Sequence, residues 1–156
     1  MLLILVCGAI MVTAHFVFKR IPKPSFVDRG EPIICNPVPD FSSYKVDLGT
    51  GPVIIPINFT SNTRALAMQN EILAATSSGI NFSQKYLLVE ASCGVTCQNH
   101  AIIDSITGNI MHYGMRTTGG VSFRPDSSLL IVNPIGNNIT RYYDFKEGVL
   151  RYICEK

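Results

Sequence analysis

Cys93 and Cys97 are the residues whose type and spacing could do chemistry, and they bracket Gly94-Val95-Thr96. A cysteine pair can exchange its disulfide with another protein when one thiol ionises readily. Redox enzymes usually present Cys-x-x-Cys at the start of a helix, where the helix dipole lowers the thiol pKa. Here the spacing is Cys-x-x-x-Cys and neither Lys nor Arg is adjacent. We therefore favour a permanently oxidised pair over an exchange enzyme, which remains the alternative.

A hairpin must position these two cysteines. A three-residue turn between antiparallel strands would place Cys93 and Cys97 opposite each other, within disulfide range. Cys35 and Cys154 lie nearer the two ends of the chain. If Cys7 is removed with a signal segment, four cysteines remain, and an even count in an exported protein predicts two disulfides. Four cysteines allow three pairings, and the sequence leaves the choice open.

The segment 1–18 is almost wholly apolar, and Lys19 and Arg20 follow it. A secretory signal has a short apolar core and a small-residue cleavage site, of which Val12-Thr13-Ala14 is a weak version. A membrane anchor needs about 20 apolar residues, slightly more than this segment has. We favour cleavage and a periplasmic or secreted protein. The alternative is a domain anchored to the membrane by this uncleaved segment alone.

Composition predicts one globular domain. The chain has 156 residues, of which 47% are hydrophobic and 15% charged, a balance that fits a packed core and argues against disorder. The formal charge is +2, from 13 basic and 11 acidic residues. Nucleic-acid binding needs Lys and Arg clustered on one face, and here they are scattered. We divide the chain into the segment 1–18, a proline-rich extended arm at 19–40, and a single β-rich domain at 41–156.

One helix is predicted, near residues 63–78. Asn62 or Thr63 can cap its start, and Gly79 suits the position just past its end. Apolar residues recur at helical spacing, and they are Ala65, Met68, Ile72 and Ala75, with Leu66 and Leu73 beside them. This stripe predicts a helix packed on a sheet.

The rest of the domain alternates short apolar runs with turn residues. Leu87, Val89, Ala91 and Cys93 share one face of a strand, the period-2 pattern of a half-buried strand. A second strand begins at Ala101, and Asp104 to Asn109 forms a hairpin connection. Further strands are predicted at 44–48, 53–59, 110–113, 121–124, 129–133, 140–145 and 150–154. This spacing predicts a mainly β or α+β fold, with an antiparallel meander sheet or a propeller-like array of hairpins.

Several short motifs resemble those of an uncharacterised family of small exported bacterial proteins. The motifs are Asn81-Phe82, Tyr86-Leu87-Leu88-Val89, Cys93-Gly94-x-x-Cys97-Gln98, Ile103-Asp104-x-x-Thr107-Gly108 and Phe123-Arg124-Pro125-Asp126-Ser127-x-Leu129-Leu130. The most specific of them is the Cys-Gly-x-x-Cys-Gln turn, and the resemblance spans roughly residues 82 to 152. It implies a bacterial cell-envelope setting and no particular activity. Glu90-Ala91-Ser92 departs from it, because a bulky aromatic is expected just before Cys93.

Other candidate sites are weaker. His100 and Asp104 share one face of a strand and His112 lies on its partner, but a metal needs three or four convergent ligands. We therefore expect no metal and no cofactor.

We predict a non-catalytic, disulfide-stapled binding module of the inhibitor or immunity type, whose partner is another envelope protein. The alternatives are a thiol–disulfide exchange protein using Cys93 and Cys97, or a structural envelope protein. The proposed contact residues lie in exposed turns, and they are Gly94, Val95, Thr96, Gln98, Ile135, Gly136, Asn137 and Asn138.

Overall fold

The computed structural model describes residues 31–48, 56–136 and 139–156. The predicted segment 1–18, the first part of the predicted arm, and Asn137 and Asn138 lie outside these residues. In the described chain the strands are β1 (Tyr86–Gly94), β2 (Cys97–Asp104), β3 (Ile110–Thr117), β4 (Val121–Ser122), β5 (Leu129–Val132), β6 (Arg141–Lys146) and β7 (Val149–Glu155).

The strands form two antiparallel sheets. Sheet 1 has the order β1-β2-β3 and sheet 2 the order β4-β5-β6-β7. Every neighbouring pair of strands is consecutive in the sequence, because short turns let each strand fold back on the one before it. The prediction of a mainly β or α+β fold with an antiparallel meander is confirmed, with the strands divided between two sheets.

The helical segment 63–78 is confirmed. It consists of a 3-10 turn at Thr63–Met68, the α-helix α1 at Gln69–Ala75, and a 3-10 turn at Thr76–Ser78. Gly79 follows with φ 76°, a conformation that glycine adopts at little cost. Asn62 occupies the position before the first turn, as predicted. Its side chain makes no capping hydrogen bond, so the predicted side-chain cap is wrong.

The first apolar cluster joins the helical segment to one face of sheet 1. Its helical members are Ala65, Met68 and Ile72, as the stripe predicted, and its sheet members include Leu87 and Val89. Leu66 and Leu73 remain 52% and 46% exposed. The helical segment therefore covers sheet 1 from one side.

The second cluster joins the other face of sheet 1 to sheet 2. Tyr86 and Leu88 of β1 pack there with Leu130 and Phe145 of sheet 2. The first half of β1 is consequently buried on both faces, and the prediction of a half-buried strand is wrong for Tyr86–Val89. The predicted alternation holds only at Glu90–Ser92, and Cys93, which was predicted on the buried face, is exposed.

The third cluster lies on the outer face of sheet 2. Leu129, Tyr142 and Cys154 pack there against the chain that precedes the first helix, including Phe41. Ile34 forms a parallel bridge with Glu155, and the Cys35–Cys154 disulfide fastens this arm to β7 over a Cα–Cα distance of 5.1 Å. The arm is thus held by the edge of sheet 2 and by one cross-link.

The predicted strand 44–48 is wrong, and the described part of the predicted strand 53–59 has only an isolated bridge between Asn58 and Asn109. Phe41–Tyr44 is a 3-10 turn, in which the Asp40 carboxylate accepts a hydrogen bond from the Ser43 amide. After it, Lys45 forms an isolated β-bridge with Ser127 that does not extend into a ladder. In the second region, Phe59–Ser61 is another 3-10 turn, capped by Asn58 through the Thr60 amide. Side-chain capping of this kind competes with strand pairing. Residues 53–55 of that prediction lie outside the described chain.

Among the described residues, none of the helices has the length and apolar character required to span a membrane.

Candidate binding surface

The β1–β2 hairpin ends in the disulfide turn. Cys93 and Cys97 form a disulfide with a Cα–Cα distance of 5.0 Å, so the predicted pair is present. Its register differs from the prediction: Gly94, rather than Cys93, lies opposite Cys97, and the ladder shifts between Ser92 and Gly94. Cys93 therefore occupies a bulge, and Val95 and Thr96 alone form the turn.

This turn projects into solvent. The Val95 side chain is 106% exposed, and Cys93, Gly94, Thr96 and Gln98 are also exposed. The aliphatic side chain of Val95 is therefore in water at the tip of a cross-linked hairpin, and its neighbours in the turn, Gly94 and Thr96, offer it no large apolar surface. Such a group is suited to an apolar pocket of a partner, because the cross-link reduces the entropy lost on binding.

The β3–β4 connection lies beside the base of the turn. Gly120 has φ 72°, and a Cβ placed on it would lie 3.1 Å from Gln98 Oε1. The Gln98 side chain therefore packs directly over the backbone of this connection. A side chain at Gly120 would be strained by the positive φ and would push Gln98 away.

The same connection also contacts the β5–β6 loop. A Cβ on Gly119 would lie 2.5 Å from Ile135 O, too close for any side chain. Asn133 Oδ1 accepts hydrogen bonds from the amides of Thr118 (3.0 Å) and Gly119 (2.9 Å). Glycine at this position lets the two backbones touch, and the Asn133 amide group holds them together.

Through Gln98 and Ile135, the two predicted contact regions each approach the Gly119–Gly120 connection. We call the surface formed by Val95, Gln98, Gly119, Gly120 and Ile135 the loop end. Ile135 is 75% exposed there, and Ile139 in the same loop is 50% exposed. Gly136 is also exposed. The loop end therefore carries aliphatic side chains on two loops that are joined by a third.

Charges of both signs border the loop end. Arg141 Nε on β6 lies 3.0 Å from Glu155 Oε2 on β7. Arg116 is at the end of β3, and Glu90 on β1 is 40% exposed. An anionic membrane surface attracts an excess of basic groups, whereas this border is mixed. Its composition is closer to the rim of a protein interface.

His100 lies behind the disulfide turn and is fully buried. Its Nδ1 is 3.0 Å from Met115 O, and its Nε2 is 3.4 Å from Glu90 Oε1. Within the described residues, His100 Nε2 and Thr117 Oγ1 are buried without a hydrogen-bond partner. Both residues belong to the ends of β2 and β3 that support the loop end.

The three residues considered for a metal do not converge. Asp104 lies at the far end of β2, where it accepts hydrogen bonds from Lys85 Nζ (2.8 Å) and the Ile106 amide (2.8 Å). His112 pairs with Ile102 in the ladder, and burial, together with the nearby charge of His100, lowers the pKa of His112. In the described part of the chain, no three His, Cys, Asp or Glu side chains are placed to hold a metal ion.

Most of the short motifs singled out in the sequence have structural roles. Phe82 is fully buried, and the Asn81 amide group bonds both backbone groups of Leu88. The Arg124 carbonyl accepts from the Ser83 amide, and Ser127 Oγ donates to Phe41 O. These residues connect the two sheets and the N-terminal arm. The Cys-Gly-x-x-Cys-Gln turn differs from them in being exposed.

Sequence reasoning missed the residues that join the loops. Asn133 was predicted only as the last residue of the strand 129–133. Gly119 and Gly120 were given no contact role, although two adjacent glycines are a signal for close backbone contact. The contact partners could not be read from the sequence, because Gln98 and Ile135 are both distant in the chain from the two glycines that they approach.

Comparisons with known proteins found no family model, no curated protein and no solved structure that matches this chain.

Proposed function

We propose that this protein is an exported binding module that blocks or protects another envelope or secreted protein by contacting it through the loop end. It acts without catalysis, as an inhibitor or immunity-type protein does. The observation that carries the proposal is that Gln98, next to the disulfide turn, and Ile135 of the β5–β6 loop both approach the Gly119–Gly120 connection. Val95 in the turn and Ile135 in the loop have exposed aliphatic side chains.

The two disulfides support the proposal that the protein works in an oxidising compartment outside the cytoplasm. Cys35–Cys154 and Cys93–Cys97 are both formed, and disulfides persist in oxidising compartments such as the periplasm or the extracellular medium. The apolar segment 1–18 supports export by a signal peptide, and the resemblance to small exported bacterial proteins supports a bacterial envelope.

Rigidity supports a binding role. Cys93–Cys97 closes the tip of the hairpin, and Asn133 ties the neighbouring loops. Loops that are ordered before binding lose less conformational entropy in the complex. Exposed aliphatic residues at their tips can then fill pockets of the partner at its interface.

The test is affinity capture from the cell envelope with four baits. These are the wild-type protein, Val95→Asp, Ile135→Asp, and the control Ile106→Asp. Ile106 is 66% exposed but belongs to the β2–β3 hairpin at the opposite end of sheet 1. We expect Val95→Asp and Ile135→Asp to weaken capture of one partner by about tenfold or more, while Ile106→Asp captures normally. Equal capture by all four baits would refute the loop end as the binding surface.

Thiol–disulfide exchange is the second candidate, because Cys93 is exposed to solvent while Cys97 is half-buried. In an exchange, a partner thiolate attacks Cys93 Sγ, the bond to Cys97 Sγ breaks, and the Cys97 thiolate leaves. A Cys97→Ser bait leaves Cys93 with a free thiol. A covalent partner seen on non-reducing gels only with this bait would establish exchange and overturn the non-catalytic proposal.

A further inference from the structure

His100 connects the two strands that support the loop end. In the ladder it lies opposite Glu90 on β1 and Met115 on β3. β1 leads into the disulfide turn, and β3 leads into the Gly119–Gly120 connection. Because β2 is the central strand of sheet 1, a side chain on it can contact both neighbours at once.

The hydrogen-bond geometry defines where the protons of His100 must be. A carbonyl oxygen only accepts, so the 3.0 Å contact with Met115 O places a proton on Nδ1. In the neutral ring, Nε2 would then present its lone pair to the Glu90 carboxylate, 3.4 Å away. Two electron-rich groups at this distance repel each other. A second proton on Nε2 converts the repulsion into a charge-assisted attraction.

The other ionisable groups nearby leave Glu90 as the carboxylate that faces His100. On β3, burial is the larger cause, and the charge of His100 the smaller one, that lowers the pKa of His112. On the inner face of sheet 2, Tyr143 packs in the second cluster. Arg141 and Glu155, which border this face, are paired with each other at 3.0 Å.

We propose that His100 is a positioning residue that, with both ring nitrogens protonated, ties β1 to β3 and holds the loops of the loop end in their binding orientation. The effect on binding rests on the function proposed above, whereas the tie itself does not require a partner. The tie needs a protonated imidazole and an ionised carboxylate.

The first experiment uses the free protein labelled with ¹⁵N, because the imidazole nitrogens report their own protonation by NMR. We expect both His100 nitrogens to carry protons at pH 7 in the wild type, and only Nδ1 to do so in Glu90→Gln. This variant keeps the shape of a half-exposed side chain and removes its charge. Glu147→Gln, in the exposed β6–β7 turn, is the control and should match the wild type. An unprotonated Nε2 in the wild type at pH 7 would overturn the tie.

The second readout separates positioning from a purely structural role. We expect the methyl resonances of Val95 and Ile135 to shift along the same pH curve as the His100 ring in the wild type, and to be flat over that range in Glu90→Gln. If the methyl shifts in the wild type do not change over the pH range in which the His100 ring shifts change, the positioning role is overturned.

Binding is then measured with the captured partner. Wild-type affinity should fall about fivefold or more between pH 6.5 and pH 8, and the Glu90→Gln affinity should not change. A pH-independent wild-type affinity, with the tie observed by NMR, would refute the link to binding. If Val95→Asp weakens the capture of no partner, the function proposed above fails. The NMR experiment still tests whether His100 ties β1 to β3.

Discussion

The Asn133 side chain accepts a hydrogen bond from the Gly119 amide at 2.9 Å and so joins the β5–β6 loop to the β3–β4 connection. Its second bond, from the Thr118 amide, is 3.0 Å long. Asn133 itself has φ 54°, which asparagine tolerates better than most residues. One residue therefore supplies both the acceptor and the backbone conformation that hold the loop end together.

Replacing Asn133 should loosen the loop end. Asn133→Ala removes two hydrogen bonds and strains the backbone, and should lower the free energy of unfolding by about 1–3 kcal/mol in urea denaturation. Asn133→Gly relieves the backbone strain but does not restore the two hydrogen bonds. Its free energy of unfolding should therefore lie between those of Asn133→Ala and the wild type. Asn133→Asp keeps an acceptor oxygen and should be the mildest change. Wild-type stability of Asn133→Gly would show that the two bonds contribute nothing.

The two disulfides should differ in their effect on stability. The loop-closure relation gives about 5 kcal/mol for the bond that spans most of the domain and about 2 kcal/mol for the hairpin bond. The double variant Cys35→Ser/Cys154→Ser should therefore lose much more stability in urea than Cys93→Ser/Cys97→Ser. We expect the second variant to fold and to bind its partner more weakly, because its turn is no longer closed. Equal destabilisation by the two variants would contradict this division of roles.

Asn81 should protect the outer edge of β1 at Leu88. Its Nδ2 donates to Leu88 O at 2.9 Å and its Oδ1 accepts from Leu88 N at 2.7 Å, as a neighbouring strand would. Asn81→Ala leaves both backbone groups unpaired and should cost about 1–3 kcal/mol. Hydrogen exchange of the Leu88 amide should be faster in this variant. Asn81→Asp, which retains only the acceptor, should protect the Leu88 amide more than Asn81→Ala does; equal protection in both would exclude the Oδ1 contact.

Acid should weaken the β2–β3 hairpin through Asp104. Burial by itself would raise the pKa of Asp104, but hydrogen bonds from Lys85 and from the Ile106 and Thr107 amides outweigh it and lower the pKa below 3.8. The ionised carboxylate therefore stabilises the fold at pH values above its unfolded pKa, and this contribution is lost as pH falls through the lower folded pKa.

The measurement for Asp104 is the unfolding free energy between pH 5 and pH 2. Asp104→Asn should lower stability at pH 5 by roughly 1 kcal/mol, because Lys85 is partly exposed and solvent screens the pair. The gap between the variant and the wild type should close toward pH 2. A gap of constant size would mean that the Asp104 charge does not contribute.

Local chemistry explains what was predictable. The helical segment 63–78 follows from the spacing of Ala65, Met68 and Ile72, and the hairpin before Asn109 follows from Gly108, which has φ 70°. The disulfide turn follows from two cysteines close in sequence. Each of these features depends on residues within a few positions of one another.

The incorrect predictions have non-local causes. Tyr86–Val89 was interpreted as half-buried, but sheet 2 covers its second face. Residues 44–48 have an apolar pattern, but the chain there docks on Ser127 and Ser128 through backbone and hydroxyl hydrogen bonds. Tertiary contacts override strand propensity in short segments of this kind.

By itself, the sequence determined the class of fold, the helix, most of the strands and the exposed turns that were proposed to bind. These depend on side-chain period and turn residues, which act locally. Only the tertiary structure decided that Cys35 pairs with Cys154, that both faces of Tyr86–Val89 are covered, and that Gln98 and Ile135 both approach the Gly119–Gly120 connection. Those facts depend on which surfaces bury each other, and residues distant in the chain determine that together.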